Sequence, residues 1–180
     1  MRTPAQIAGH PIHPMLVTIP IGLWLFSFVC DLIAMRADDP TTWTTVALYS
    51  MVGGAVGAVL AALPGIIDFN SLRDAPTRRI ALTHMVLNVT VLTLFVLNAV
   101  LRVQGAVEHG TSVGISAVAV ALLGISGWLG GKMVYLKGVA VHVEGQEAQT
   151  STQAPRAGAA TARPASTGAW RAGPDPAMAS

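Results

Sequence analysis

Four apolar stretches, each close to the length that crosses a bilayer, leave this chain few folds to choose from. They cover about residues 15–35, 45–67, 80–101 and 111–136, each near the roughly 20 residues a spanning helix requires. Short polar connections separate them, at about 36–40, 70–79 and 102–110. Connections this short make successive helices antiparallel neighbours. The expected fold is an all-α integral membrane protein, an up-down four-helix bundle over residues 1–144. The lipid bilayer is its first partner.

Composition agrees. The chain is 52% hydrophobic and 11% charged, with a mean hydropathy of +0.57, whereas soluble proteins carry about 25% charged residues. Eleven Lys+Arg and nine Asp+Glu cannot clothe a soluble core, so a soluble enzyme and a disordered chain are excluded. A net charge of +2 is too small for a phosphate-binding surface, which excludes nucleic acid as a partner. The single cysteine, Cys30, excludes an intramolecular disulfide and any cysteine-built iron–sulfur or zinc site. The first apolar stretch is too long for a signal peptide and follows a His/Pro run instead of a basic segment, so it reads as a retained span.

After Leu136, Lys137-Gly138 reads as a helix stop, and residues 139–144 alternate with period two, setting His142 and Glu144 on one face. Residues 145–180 are Ala, Thr, Ser, Gly and Pro with scattered charge, and read as a disordered tail.

Helices one and three leave the same side of the membrane, and two and four return to it. That side carries Arg2, Arg73, Arg78, Arg79, Lys132 and Lys137, and the other only Arg36 and Arg102. An excess of Lys and Arg in short loops marks the cytoplasm, so both termini are expected there. Gly53, Gly54, Gly57, Ala58 and Ala61 give helix two a small-residue surface for close contact. Gly124, Gly127, Gly130 and Gly131 do the same for helix four, or, from Gly127 to Gly131, leave room for a flat ligand. Glycine-rich helices of this kind also suit a homo-oligomer.

Threading the topology gathers polar groups near the expected cytoplasmic face. His10 and His13 lie in Gly-His-Pro-Ile-His-Pro just before helix one, where the prolines favour a rigid, non-helical approach with Pro14 at the first helical position. His84 lies about 6 Å inside helix three, with Asn88 one turn on. Asp68 closes helix two, and His142 follows helix four. Ionisable residues within spans are costly and by default mark function. Asp31 and Cys30, at the far end of helix one, form no comparable group, so one site is expected, not two. Each residue also has an ordinary role open to it: His10 and His13 as capping groups, His84 as an interhelical hydrogen bonder, Asp68 as a partner for Arg73, Arg78 or Arg79.

Gly9-His-Pro-Ile-His-Pro14 followed by Pro20-Ile-Gly22 resembles the opening of a bacterial family of predicted membrane proteins, domain of unknown function 2231. Gly65-Ile-Ile-Asp68, Ala81-Leu-Thr-His84 with Asn88, Gly127-Trp-Leu-Gly-Gly131 with Tyr135, and Gly138-Val-Ala-Val141 fit it too, so that the resemblance spans about residues 8–143. It implies a four-helix domain in a bacterial inner (plasma) membrane. Some members are joined to Rieske-type iron–sulfur domains, which implies a link to electron transfer and a redox partner such as an iron–sulfur protein.

Three functions remain open. Haem b needs axial imidazoles, a gap between helices and cations for its propionates. His84 with His13 or His142 opposite, Asn88 beside it, Gly127, Gly130 and Gly131 at the gap, and Arg78, Arg79 or Lys132 as cations supply these. A transition-metal ion would draw on His10, His13, Asp68, His84 and His142. A structural or assembly subunit would need no cofactor. No nucleophile–base pair or phosphate loop points to a conventional enzyme.

Overall fold

The structure, a computed structural model, describes residues 4–137 and Val139. His142, Glu144 and the expected tail at 145–180 lie outside the described residues. A short hairpin opens the described chain, with β1 at Gln6–Ile7 paired antiparallel to β2 at His10–Pro11. Its turn places both Ala8 (φ 48°) and Gly9 (φ 81°) in the left-handed region, as a two-residue hairpin turn of this hand requires.

Five helices follow: α1 at Ile12–Leu16, α2 at Thr18–Ala34, α3 at Thr41–Ser71, α4 at Ala75–Val103 and α5 at His109–Lys137. α1 and α2 form one span interrupted at Val17, where Pro20 has no amide for the carbonyl of Leu16. The resulting four spans, Ile12–Ala34, Thr41–Ser71, Ala75–Val103 and His109–Leu136, are each long and apolar enough to cross a membrane. The first begins earlier than the prolines suggest. Pro11 stands at its N-cap and Pro14 inside its first turn, where amides have no intrahelical partner to lose, so His13 belongs to the helix.

Caps set the other boundaries. Asp39 Oδ1 accepts the Thr41 amide at 2.9 Å ahead of α3. Asp74 Oδ2 accepts the Thr77 amide at 3.0 Å and its hydroxyl at 2.5 Å, with Pro76 in the first turn of α4. After α4 the chain turns at Gly105, φ 63°.

Packing is denser within the hairpins α1/α2–α3 and α4–α5 than between them. Within the first, the glycines of α3 are filled by α2. A Cβ at Gly54 would lie 2.5 Å from the Trp24 indole, one at Gly57 2.9 Å from Ile19, and one at Gly53 3.2 Å from Leu23. Trp24 stacks on Phe95 at 4.7 Å and 8° between planes, joining the hairpins within a core that includes Met51, Val91, Ala119 and Leu123.

The surface is apolar and the interior carries the polar groups. Phe26, Val59, Leu63, Val89 and Ile125 are exposed, while Ser27, Asp31, Asn98, Ser116 and Ser126 are fully buried. This is the arrangement of a bundle solvated by lipid, with polar side chains joining helices from within.

Candidate functional site

One face of α4 carries His84, Asn88, Asn98 and Arg102, with Val91 and Phe95 between. Steps of three and four keep them along one stripe. α5 answers with Ser112, Ser116, Ala119, Leu123, Ser126 and Gly130. The seam is polar at both ends and apolar in the middle.

At the end near the hairpin strands, His84 lies nine residues into α4, because that helix begins at Ala75. Its Nδ1 is 2.8 Å from the Ser126 carbonyl, and Asn88 Nδ2 is 3.1 Å from its Nε2. These roles fit one tautomer, with Nδ1–H donating to the carbonyl and Nε2 accepting from the amide. The His84 carbonyl and Ser126 Oγ also lie 2.8 Å from Asn88 Nδ2, so its two N–H groups are shared among three acceptors. The ring fills the space at Gly130, where a Cβ would be 3.2 Å from His84 Cε1.

His13 is held the same way on the other hairpin. Its Nδ1 lies 2.8 Å from the Ala61 carbonyl, and its ring covers Gly65, where a Cβ would be 2.8 Å away. The two imidazoles face each other edge to face, with centroids 6.5 Å apart and planes at 88°. Both rings are half-buried.

The remaining predicted residues do not bond to this pair, although Asp68 is close enough to His13 for their charges to interact. His10 is exposed, with Nδ1 3.0 Å from the Ala8 carbonyl. Asp68 Oδ1 accepts the Ala5 amide at 3.0 Å, so it fastens the N-terminal hairpin to α3. Arg78 and Arg79 are exposed, and the Arg78 guanidinium lies 5.3 Å above the Phe69 ring. Gly127 faces open space, and a Cβ at Gly131 would meet only Tyr135, at 4.0 Å. Among the described residues no three His, Cys, Asp or Glu side chains converge as a metal site would need.

A second polar group lies at the opposite end, where the sequence led us to expect none. Asp31, fully buried, is bridged by both terminal nitrogens of Arg102, one at 2.8 Å to Oδ1 and the other to Oδ2. Arg102 Nε donates to Ser112 Oγ, whose hydroxyl donates to Asn98 Oδ1 at 2.6 Å. Asn98 Nδ2 donates to Ser112 O and Ser116 Oγ, both at 2.9 Å. His109 Nε2 lies 3.2 Å from the Asp31 carbonyl. A cleft of about 250 Å³ beside this network is lined by Thr44, Thr45, Leu48, Arg102, His109 and Ser112. Arg102 had read as a loop cation. α4 extends past Leu101 and delivers it to Asp31. The signal was available in the sequence: 18 residues from His84 is five helical turns, which returns Arg102 to the same face.

No curated protein and no solved structure matches the chain. A family model described as "predicted membrane protein (DUF2231)" matches residues 9–143, a range that encloses every helix. The chain therefore belongs to this family of predicted membrane proteins.

Proposed function

We propose that this protein is a redox-associated membrane protein that holds haem b between His13 and His84. The observation that carries the reading is the facing pair itself, with centroids 6.5 Å apart. Two imidazole nitrogens, each about 2.0–2.1 Å from one metal centre on opposite sides, put their ring centroids roughly 6 Å apart, so the spacing suits a shared iron once the ring that presents its face turns to present Nε2. A backbone carbonyl holds Nδ1 of each ring, the support that orients ligand histidines and leaves Nε2 for the metal. Asn88 would release Nε2 of His84 and keep its bonds to Ser126 and the His84 carbonyl.

One ligand comes from each hairpin, so a flat ring between them would lie in the more loosely packed interface of the bundle. Gly65 and Gly130 make room for the imidazoles. When bound, haem supplies a one-electron couple, and the residues of this chain position it and exclude water. Arg78, Arg79 and Lys132, exposed on the same end, are the cations available to propionates. Their position also supports a cytoplasmic orientation for that end in a bacterial inner membrane, with an iron–sulfur protein as a suitable electron partner.

Titrating the purified protein with haemin tests the reading. A Soret band should saturate at one haemin per chain, and His13→Ala and His84→Ala should each lower affinity at least tenfold. Binding that never saturates would refute it. Stoichiometric binding of a bare transition metal without haem would favour a metal site, and neither would favour a structural subunit.

A further inference from the structure

Three residue pairs that join α1/α2 to α4 share one spacing. His13 faces His84, Trp24 stacks on Phe95, and Asp31 bridges Arg102. Each pair is 71 residues apart, as the Asp31–Arg102 contact records. Ser27 and Asn98 have the same spacing, and both are fully buried.

The second helix of each hairpin repeats the relationship with an offset of 65. His13 bonds the carbonyl of Ala61 and His84 that of Ser126. Ser27 Oγ donates to the carbonyl of Ala47 at 2.8 Å, and Asn98 Nδ2 to that of Ser112 at 2.9 Å. Gly65 accommodates the ring of His13, and Gly130 that of His84. The six-residue difference falls between Asp31 and Ala47, where the adjoining ends of α2 and α3 run further than those of α4 and α5 and the turn is slightly longer.

Contacts between a residue and its own equivalent arise where a two-fold axis passes between two copies of one structure. Both hairpins leave and re-enter the same end of the bundle, so such an axis runs along the bundle and parallel to the membrane normal. Parallel repeats of this kind are a recognised way to build membrane proteins. We infer that the chain is a duplicated helical hairpin, and that α1/α2–α3 and α4–α5 are partner surfaces meeting face to face about this axis. The inference is independent of whether haem binds.

Symmetry alone would set like charges against each other where Asp31 meets Arg102. One half carries an acid and the other a base at this position, so each half is complementary to the other and not to a second copy of itself. Ion pairing of this kind sets partner choice by repelling the wrong partner as well as attracting the right one. The environment differs too. Arg102 has Ser112 beside it, and the repeat equivalent of Ser112 is Ala47, which has no hydroxyl.

The test exchanges the halves' identities in the full-length protein. Asp31→Arg and Arg102→Asp singly should lower the thermal midpoint in detergent by about 10 °C or more, from the loss of a buried pair. The double exchange should recover at least half of that loss. Adding Ala47→Ser to the double exchange should raise the midpoint further, because it gives the new Arg at position 31 the hydroxyl that Ser112 gives Arg102. In the wild-type background Ala47→Ser should not stabilise. Should the single variants yield no folded protein, the double and triple exchanges are compared by yield of monodisperse protein and by their midpoints. A double exchange no better than the worse single variant would overturn the inference. So would an Ala47→Ser change without benefit in the exchanged background.

Discussion

Asp31 and Arg102 are 71 residues apart and form a bidentate ion pair in which the carboxylate is wholly buried. A charge taken out of water is tolerated only when partnered, and removing one member strands the other. Arg102→Met should therefore cost about 3–5 kcal/mol, read as a lower unfolding midpoint in detergent. Arg102→Met combined with Asp31→Leu should recover most of that loss, since an apolar pair leaves no stranded charge. A double variant as unstable as the single one would mean the pair does more than neutralise itself.

Gly54 and Gly127 look alike in the sequence and should respond in opposite ways. A methyl at Gly54 would meet the Trp24 indole at 2.5 Å, while one at Gly127 meets nothing within 4 Å. Gly54→Ala should destabilise by about 1–3 kcal/mol, the usual cost of overpacking. Gly127→Ala should be neutral or slightly stabilising, because alanine is the better helix former. Paired thermal melts in one detergent compare them.

How much of this was legible before the structure depends on the scale asked about. The four spans, their order and a close-contact surface on α3 follow from hydropathy and from Gly53, Gly54 and Gly57, while the partner of that surface, α2, does not. The pairing of His13 with His84 was only half visible: the two were named, but His13 was placed outside the span. Helix boundaries are set by unpaired first-turn amides, and these tolerate Pro14 where a helix interior would not. The Asp31–Arg102 pair was missed because Arg102 closes an apolar run and reads as a loop residue until α4 is extended to Val103. The repeat was hidden because lipid-facing positions accept any apolar residue, so its trace survives only at the axis.

The hydrogen bonds of Asn88 give a prediction separate from ligation. Asn88→Leu removes the donor to Ser126 and to His84 Nε2 while keeping the side chain's bulk. Ser126 Oγ keeps a second contact, 2.9 Å from His84 Nδ1. The variant should fold, lose about 1–3 kcal/mol, and still bind haemin. Loss of haemin binding with an unchanged melting curve would show that Asn88 is itself part of the ligand set.

Asp39 gives a pH dependence outside the membrane spans. Its carboxyl is held below the usual carboxylate range, first by the Thr41 amide and second by the Thr41 side chain. A lowered folded-state value means the cap contributes above the unfolded value and fades as pH falls through the folded one. Its contribution should therefore be flat from pH 8 to about 5 and decline below about 4. Asp39→Asn should remove that acid-side component. Melting curves across this range, wild type against variant, check the sign; a component appearing above pH 6 would contradict it.

The proposed ligation of one haem iron by imidazoles from the two hairpins can be read from a single spectrum. It is the dithionite-reduced minus oxidised absorption spectrum of the protein purified from cells with ample haem, with His10→Ala, His13→Ala and His84→Ala alongside. A Soret band with sharpened reduced bands is expected in the wild type and in His10→Ala, lost or shifted in both of the others. A colourless wild type, or a spectrum indifferent to His13 and His84, would contradict the proposed ligation.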